Sequence, residues 1–128
     1  PLRFGLRSMC YRNRPGEATM AISRMNSGEP MRLMPFGKTV AGERSVALFK
    51  SEQLEVIRLV LSAGKSLPAH SVPGEITLQC LEGSLEVSAE GQVHTLLANH
   101  LMFLAGGVDH AVLAVSDATA LLTIVLPR

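Results

Sequence analysis

The amino-acid sequence predicts an all-β fold, a sandwich or a barrel, on three observations. Short apolar runs of four to eight residues follow one another from about residue 45 onward. Turn signals separate these runs at nearly regular spacing, and no window of helical length has the apolar periodicity of an amphipathic helix. The eight predicted strands are Ser45–Lys50, Leu54–Leu61, Glu75–Leu81, Leu85–Ala89, Val93–Leu97, Leu101–Leu104, Ala111–Val115 and Ala120–Leu126.

Each predicted strand is bounded by residues that favour turns. Ala63-Gly64-Lys65 closes the second run, and Pro73-Gly74 opens the third. Glu90-Gly91 has the form of a two-residue hairpin turn between the fourth and fifth runs. The last three runs begin after Asn99-His100, Gly106-Gly107 and Ser116-Asp117, in that order.

Composition places the chain among ordinary globular proteins. Its 128 residues are 47% apolar and 18% charged, with a formal net charge of +1. No apolar run approaches the roughly 20 residues of a membrane-spanning helix. Cys10 and Cys80 are the only cysteines, and neither belongs to a CxxC pair, which excludes a disulfide-dense scaffold and a cysteine zinc site. Because the start of the chain lacks the apolar core of a secretory signal, we expect a cytoplasmic protein.

Residues 1–40 differ from the remainder in charge and periodicity. They hold seven basic residues against Glu17 and Glu29, and prolines and glycines interrupt them. We interpret residues 1–40 as a basic, partly flexible leader and residues 41–128 as the barrel, with residues 1–19 outside the working fold. The basic residues are scattered singly, so nucleic-acid binding is not expected.

Several predicted strands are apolar on both faces, which affects the expected assembly. Leu101–Leu104 is wholly apolar, and only Arg58 interrupts the apolar residues of 56–61. An antiparallel strand that is apolar on both faces needs cover on its outer side as well. We therefore predict a homodimer, in which a second copy supplies that cover.

Two histidine-containing segments carry a family resemblance. In the first, Gly64 is followed by His70 and Gly83, and in the second, Gly107 is followed by His110. Their order and spacing resemble the two conserved motifs of the cupin superfamily. The resemblance covers roughly residues 45–127 and implies a double-stranded β-helix, the jelly-roll cupin barrel.

The departures from the family motifs concern the metal ligands. Cupins that hold a metal ion use two histidines and a glutamate from the first motif and a histidine from the second. Here the second histidine of the first motif is replaced by Val72 and the glutamate by Ile76, so only His70 and His110 remain. A bulge at Pro73-Gly74 would return Glu75 to the interior. His70, His110 and Glu75 would then suit a divalent transition metal (Fe, Mn, Zn or Ni).

The alternative is a metal-free pocket in which His70 and His110 hydrogen-bond to a small molecule. Strand alternation directs Ile76, Leu78 and Cys80 inward, and we expect them, with Val72 and Phe103, to form apolar walls. Arg58 would either anchor an anionic ligand at the barrel mouth or pair with an acid, such as Glu55 or Glu75, on a covered face.

Three functions follow from these interpretations. The leading one is a small-molecule-binding protein with His70 and His110 as polar anchors. The second is a metal-dependent enzyme, an oxygenase or isomerase acting on a small organic substrate, in which Glu75 or Cys80 would complete the ligand set of His70 and His110. The third is a dimeric interaction or sensor module. The sequence leaves open whether the protein is an enzyme and which ligand it binds.

Overall fold

The computed structural model describes residues 25–127. The prediction for residues 1–19 therefore falls outside the described residues. A short 3-10 helix spans Gly37–Gly42. Nine strands follow it: β1 (Val46–Lys50), β2 (Leu54–Leu61), β3 (Ser66–His70), β4 (Ile76–Glu82), β5 (Ser84–Ala89), β6 (Gln92–Leu97), β7 (Leu101–Leu104), β8 (His110–Ala114) and β9 (Ala118–Val125).

The strands form two antiparallel sheets, as the all-β prediction requires. One sheet has five strands in the order β1-β2-β9-β4-β7, and the other has four in the order β3-β8-β5-β6. The eight predicted strands are all present to within two residues at their ends. β3 and the 3-10 helix were not predicted from the sequence.

The core lies between the two sheets and follows strand alternation. In β4 the residues Ile76, Leu78 and Cys80 face inward and are buried, as predicted, with Cys80 fully inaccessible. Opposite residues from β2, β9, β5 and β8 complete a single apolar cluster. Burial of these side chains is the main stabilising contribution to the fold, at about 25 cal/mol for each Å² of apolar surface removed from water.

The β5–β6 hairpin turns where the sequence predicts. Ala89 pairs with Gln92, which leaves Glu90 and Gly91 as the two turn residues. Both have positive φ angles, 54° and 80°, the conformation that a type I′ turn requires. This turn fixes the register of β6 against β5.

Glu82 joins the segment before the barrel to the outer face of the five-stranded sheet. Its carboxylate accepts hydrogen bonds from the backbone N–H groups of Phe36 and Gly37, both at 2.9 Å. It also accepts from the Thr119 hydroxyl at 3.0 Å and from Arg58 at 3.3 Å. The described part of the predicted leader is thus hydrogen-bonded to the barrel, and the 3-10 helix crosses the predicted boundary at residue 40.

The pKa of Glu82 is held below its usual value. Burial alone would raise it, but the N–H groups of Phe36 and Gly37, the Thr119 hydroxyl and the Arg58 charge together favour the carboxylate. The Phe36 ring lies over the Arg58 guanidinium, 3.9 Å from its central carbon to the ring centroid. The Arg58 charge is therefore compensated within the protein by an ion pair and a cation–π contact, while its buried Nε has no hydrogen-bond partner among the described residues.

Within residues 25–127, no helix has the length and apolar character needed to span a bilayer.

Candidate functional site

His70 and His110 meet across two neighbouring strands. They are paired residues of β3 and β8 in the four-stranded sheet. Their ring centroids are 4.5 Å apart, and the ring planes are inclined at 60°. His110 is buried and His70 is partly buried. Two residues forty positions apart in the sequence thus form one side-chain pair, which we call the histidine pair.

A β-bulge in β3 places His70 opposite His110. Leu67 pairs with Val112, and the next pair in the register is His70 with His110. The interval is three residues in β3 and two in β8, so without the bulge Ala69 would occupy the position of His70. Pro68 lies inside this interval, on an edge strand, where a residue without an N–H donor costs no interior ladder bond.

Both imidazoles have the same tautomer, fixed by local hydrogen bonds. The Nδ1–H of His70 donates to the Pro68 carbonyl at 2.7 Å. The Nδ1–H of His110 donates to the Val108 carbonyl at 3.0 Å. A carbonyl oxygen only accepts, so the proton must be on Nδ1 in each ring. In a neutral imidazole the lone pair is then on Nε2, which acts as a hydrogen-bond acceptor or a metal ligand.

The surroundings of His70 favour its neutral form. Burial lowers the pKa of His70, and the neighbouring His110 lowers it further. The hydrogen bond to Pro68 and the negative charge of Asp109 act in the opposite direction without reversing the shift. At neutral pH, His70 is therefore an acceptor at Nε2 rather than a cation.

An open cavity of about 290 Å³ lies beside His110. Its lining includes Ala89, Gln92, Ala69 and Asp109. The register sets His70, His110, Ala89 and Gln92 in one row across the four strands. The small side chain of Ala89 leaves room next to His110. The exposed Gln92 carboxamide is the last member of the row, on the edge strand β6. This volume is at the lower end of the range for small-molecule sites.

The predicted apolar walls do not line this cavity. Ile76, Leu78 and Cys80 face inward as expected, but they are packed in the core with 4% or less of their surface exposed. Val72 is partly buried against the same cluster. The Cys80 thiol contacts the Glu82 carbonyl at 3.4 Å, and burial raises its pKa, which keeps it protonated. Three of these residues belong to the core cluster, and Val72 packs against it.

Phe103 and Arg58 lie on the outer face of the five-stranded sheet, away from the cavity. The expectation that Phe103 lines the pocket is wrong, and Arg58 follows the second of its two alternatives, pairing with an acid on a covered face. Met102 and Leu104 take the inward positions of β7, and alternation directs Phe103 outward, where it is 60% exposed. Arg58 also faces outward, and the acid with which it pairs is Glu82. A bulge between Cys80 and Glu82 turns Glu82 onto this face.

The described residues do not fit a resident metal ion. Protein sites that hold catalytic metals supply three ligands as a rule, and residues 25–127 contain no group of three His, Cys, Asp or Glu side chains able to hold one. Glu75 is exposed and immediately precedes β4, so it does not join the histidine pair. The β-bulge lies at Pro68 rather than at Pro73-Gly74, and the residue whose position it changes is His70.

Sequence reasoning missed Ala89 and Gln92 as members of the site. The signal was present in the hairpin, because the Glu90-Gly91 turn fixes Ala89 opposite Gln92. The pairing of β5 with β8, which brings Ala89 to His110, has no local signal.

Comparison with solved structures identifies the fold. A cupin superfamily protein from Desulfitobacterium hafniense matches with a TM-score of 0.68 and 14% identity, over 83% of this chain and 98% of that one. An RmlC-like cupin from Desulfovibrio desulfuricans matches with a TM-score of 0.60 and 27% identity, over 79% and 96%. A conserved protein of unknown function from Streptococcus pyogenes has a TM-score of 0.66 and 22% identity, over 84% and 98%. No family model and no curated protein matches the chain.

Two antiparallel sheets around one core, with a histidine pair at a sheet end, define a jelly-roll barrel of the cupin type. The chain has the RmlC-like cupin fold. Other structures with this fold include KdgF from a Halomonas species and a salicylate 1,2-dioxygenase from Pseudaminobacter salicylatoxidans. These matches are 15% and 18% identical and establish the fold alone.

Proposed function

We propose that this protein binds a small organic molecule at the histidine pair. The observation that carries the proposal is the pairing of two imidazoles with identical tautomers, 4.5 Å apart, of which His110 lines an open cavity. With the proton on Nδ1, the Nε2 atom of each neutral ring carries a lone pair, so a ligand group that donates hydrogen bonds is complementary to the pair. A phenol or another hydroxyl compound meets this requirement.

A carboxylate or a carbonyl group is a poorer match for the same pair. Both groups only accept hydrogen bonds, so one imidazole would have to be protonated to bind them. Burial and the neighbouring ring oppose protonation at His70. The site therefore favours hydroxyl ligands over the carboxylic acids of similar shape.

The metal-dependent enzyme has less support from the geometry. Hydrogen bonds from Nδ1 to backbone carbonyls are also found in metal-ligating histidines. Two imidazoles alone nevertheless fall one ligand short of the three that a catalytic metal site usually has. We accordingly propose that ligand binding at the pair needs no metal ion.

The test is a binding comparison followed by side-chain NMR. A fragment set pairs each hydroxyl compound with the carboxylic acid of the same skeleton, for example phenol with benzoic acid. We expect the hydroxyl members to shift the His70 and His110 ring signals and to lose at least about tenfold in affinity in His110→Ala, which removes a hydrogen bond worth roughly 1.5 kcal/mol. His94→Ala, at an exposed position of β6, is the matched control and should bind normally.

Two results would contradict this function. The first is preferential binding of the carboxylic acids. The second is stoichiometric iron, manganese, zinc or nickel in protein purified without a nickel column, together with loss of that metal in His70→Ala.

A further inference from the structure

Among the described residues, four strands lie at sheet edges, and three of these edges are protected against pairing with a further strand. Proteins protect such edges with short strands, charges, prolines or β-bulges. β1 contains a bulge between Ala47 and Phe49 and ends at Lys50. β3 contains Pro68 and a bulge, and β7 has only four residues.

The fourth edge strand, β6, has none of these protections. Its six residues, Gln92–Leu97, include no proline and no Asp, Glu, Lys or Arg. All six pair with β5 in unbroken register, and five of the six are exposed. No described strand pairs with the other side of β6, because it ends the order β3-β8-β5-β6. This edge is therefore open to an added strand.

The two-residue turn determines which backbone groups of β6 face the open side. The pair that closes such a turn is hydrogen-bonded, and bonded pairs alternate with non-bonded pairs along an antiparallel ladder. The N–H and C=O groups of Val93, Thr95 and Leu97 consequently point away from β5. At Leu97 the hydrogen bonds agree with this assignment. Its N–H donates to His100 Nδ1 at 3.0 Å, and its C=O accepts from the His100 backbone N–H at 2.9 Å.

His100 ends the open part of the edge. Because it occupies both outward groups of Leu97, an incoming strand can pair only with Val93 and Thr95. These two residues offer two N–H donors and two carbonyl acceptors, which have no partner among the described residues. A short strand can therefore form up to four backbone hydrogen bonds with β6.

A cavity of about 430 Å³ lies between β6 and β7 beside these groups. Its lining includes Leu96, Asn99, His100 and Met102, and no Asp, Glu, Lys or Arg is among its described lining residues. The volume is within the range of small-ligand sites, so the cavity is large enough for a peptide side chain. On the outer face of the sheet, Glu86 of β5 lies opposite a residue of this edge and disfavours an acidic partner.

We propose that the open edge of β6 binds an extended peptide segment with uncharged side chains. The segment adds a strand to the four-stranded sheet and places a side chain in the cavity. Recognition by strand addition takes its affinity from main-chain hydrogen bonds and its specificity from side-chain pockets. Val93 also lines the cavity beside His110, but none of the groups offered to the peptide belongs to the histidine pair.

A second copy of this chain is a poorer occupant of the same edge. Two barrels joined through Val93 and Thr95 would share only the backbone groups of two residues from each copy. A stable dimer buries about 800 Å² of accessible surface on each partner. A peptide needs far less contact area, and its side chain can enter the cavity.

NMR titration of the full chain with the capped peptide acetyl-Thr-Val-Thr-Val-Thr-amide tests the proposal. We expect the amide protons of Val93 and Thr95 to shift to lower field and to exchange more slowly with water, because both become hydrogen-bonded. The same peptide N-methylated at every residue keeps the side chains but has no N–H donors, and it should bind at least about tenfold more weakly. Acetyl-Thr-Glu-Thr-Glu-Thr-amide should also bind more weakly.

The matched protein variants differ in one backbone group. Thr95→Pro removes an outward N–H but no hydrogen bond to β5, a position at which an edge strand tolerates proline. It should weaken peptide binding at least about tenfold, whereas Thr95→Val keeps the N–H and should bind normally. Circular dichroism establishes that each variant is folded, and the N-methylated peptide carries the same expectation if Thr95→Pro is not.

Four results would overturn the proposal. The first is unchanged Val93 and Thr95 amide signals at millimolar peptide. The second is equal binding of the N-methylated peptide or by folded Thr95→Pro. The third is preferential binding of the acidic peptide. The fourth is a dimer of the peptide-free protein that Thr95→Pro dissociates, which would make a second copy the occupant of this edge.

Discussion

Gly83→Ala is expected to lower the free energy of unfolding by more than about 3 kcal/mol, from two costs that add. Gly83 has a φ of 77°, which is unfavourable for any residue with a Cβ atom. A Cβ atom at this position would also collide with the backbone carbonyl of Asp117. The two colliding groups can move apart only a little, because both belong to backbone held by strands. Gly83 connects β4 to β5, and Asp117 immediately precedes β9.

Gly91→Ala separates the two costs. Gly91 has a similar φ of 80°, but a Cβ atom there would have nothing within 4 Å. We expect this variant to lose only about 1–2 kcal/mol, the cost of the left-handed backbone. Denaturant unfolding of both variants measures the difference between their free energies of unfolding. A Gly83→Ala variant that fails to fold, while Gly91→Ala folds, also meets the expectation. Equal losses would show that the Asp117 contact is unimportant.

Glu82→Gln is expected to destabilise the protein by about 3 kcal/mol, because it removes the charge that compensates the buried Arg58. The Arg58 side chain is 7% exposed and that of Glu82 is 18% exposed. The substitution also gives the backbone N–H groups of Phe36 and Gly37 a weaker acceptor. We therefore expect the segment around the 3-10 helix to gain protease sensitivity.

The stability of the same variant is also expected to differ from that of wild type at acidic pH. Since the pKa of Glu82 is depressed in the folded state, its contribution is fully present above the ordinary value of 4.5 and is lost as pH falls through the folded-state pKa. Wild type should lose stability in that range, and Glu82→Gln should lose less. Glu75→Gln, at an exposed position, is the control and should follow wild type. Parallel acid profiles for wild type and Glu82→Gln would contradict the assignment.

Local sequence signals were sufficient for most of the fold. Alternation and turn residues located eight strands, and the Glu90-Gly91 turn set one register. β3 was missed because Pro68 and the polar residues around it give neither alternation nor a continuous apolar run. The wholly apolar strand Leu101–Leu104 was found, but a strand without polar residues does not show which side chains face the core, and the inward placement of Phe103 was wrong for that reason.

Bulges account for much of what sequence reasoning could not place. The bulge near Pro68 turns His70 toward His110, and the bulge between Cys80 and Glu82 turns Glu82 toward Arg58. Each shifts side-chain phase by one residue, which reverses the face of every residue beyond it. The spacing of the cupin motifs still identified His70 and His110. That spacing is counted along the chain, so it already includes the turn residues between the strands. The cavity beside His110 depends on Ala89, which only long-range pairing brings there.

The tautomers of the histidine pair provide the most direct test of the proposed site. Long-range ¹H–¹⁵N NMR at neutral pH distinguishes a protonated Nδ1 from a protonated Nε2 in each ring. For His70 and His110 we expect the proton on Nδ1 and a nuclear Overhauser effect between the two rings. His100, whose Nδ1 accepts the Leu97 N–H, should show the opposite tautomer in the same spectrum. A proton on Nε2 of His70 or His110, or rings too far apart for cross-relaxation, would contradict the paired acceptor site.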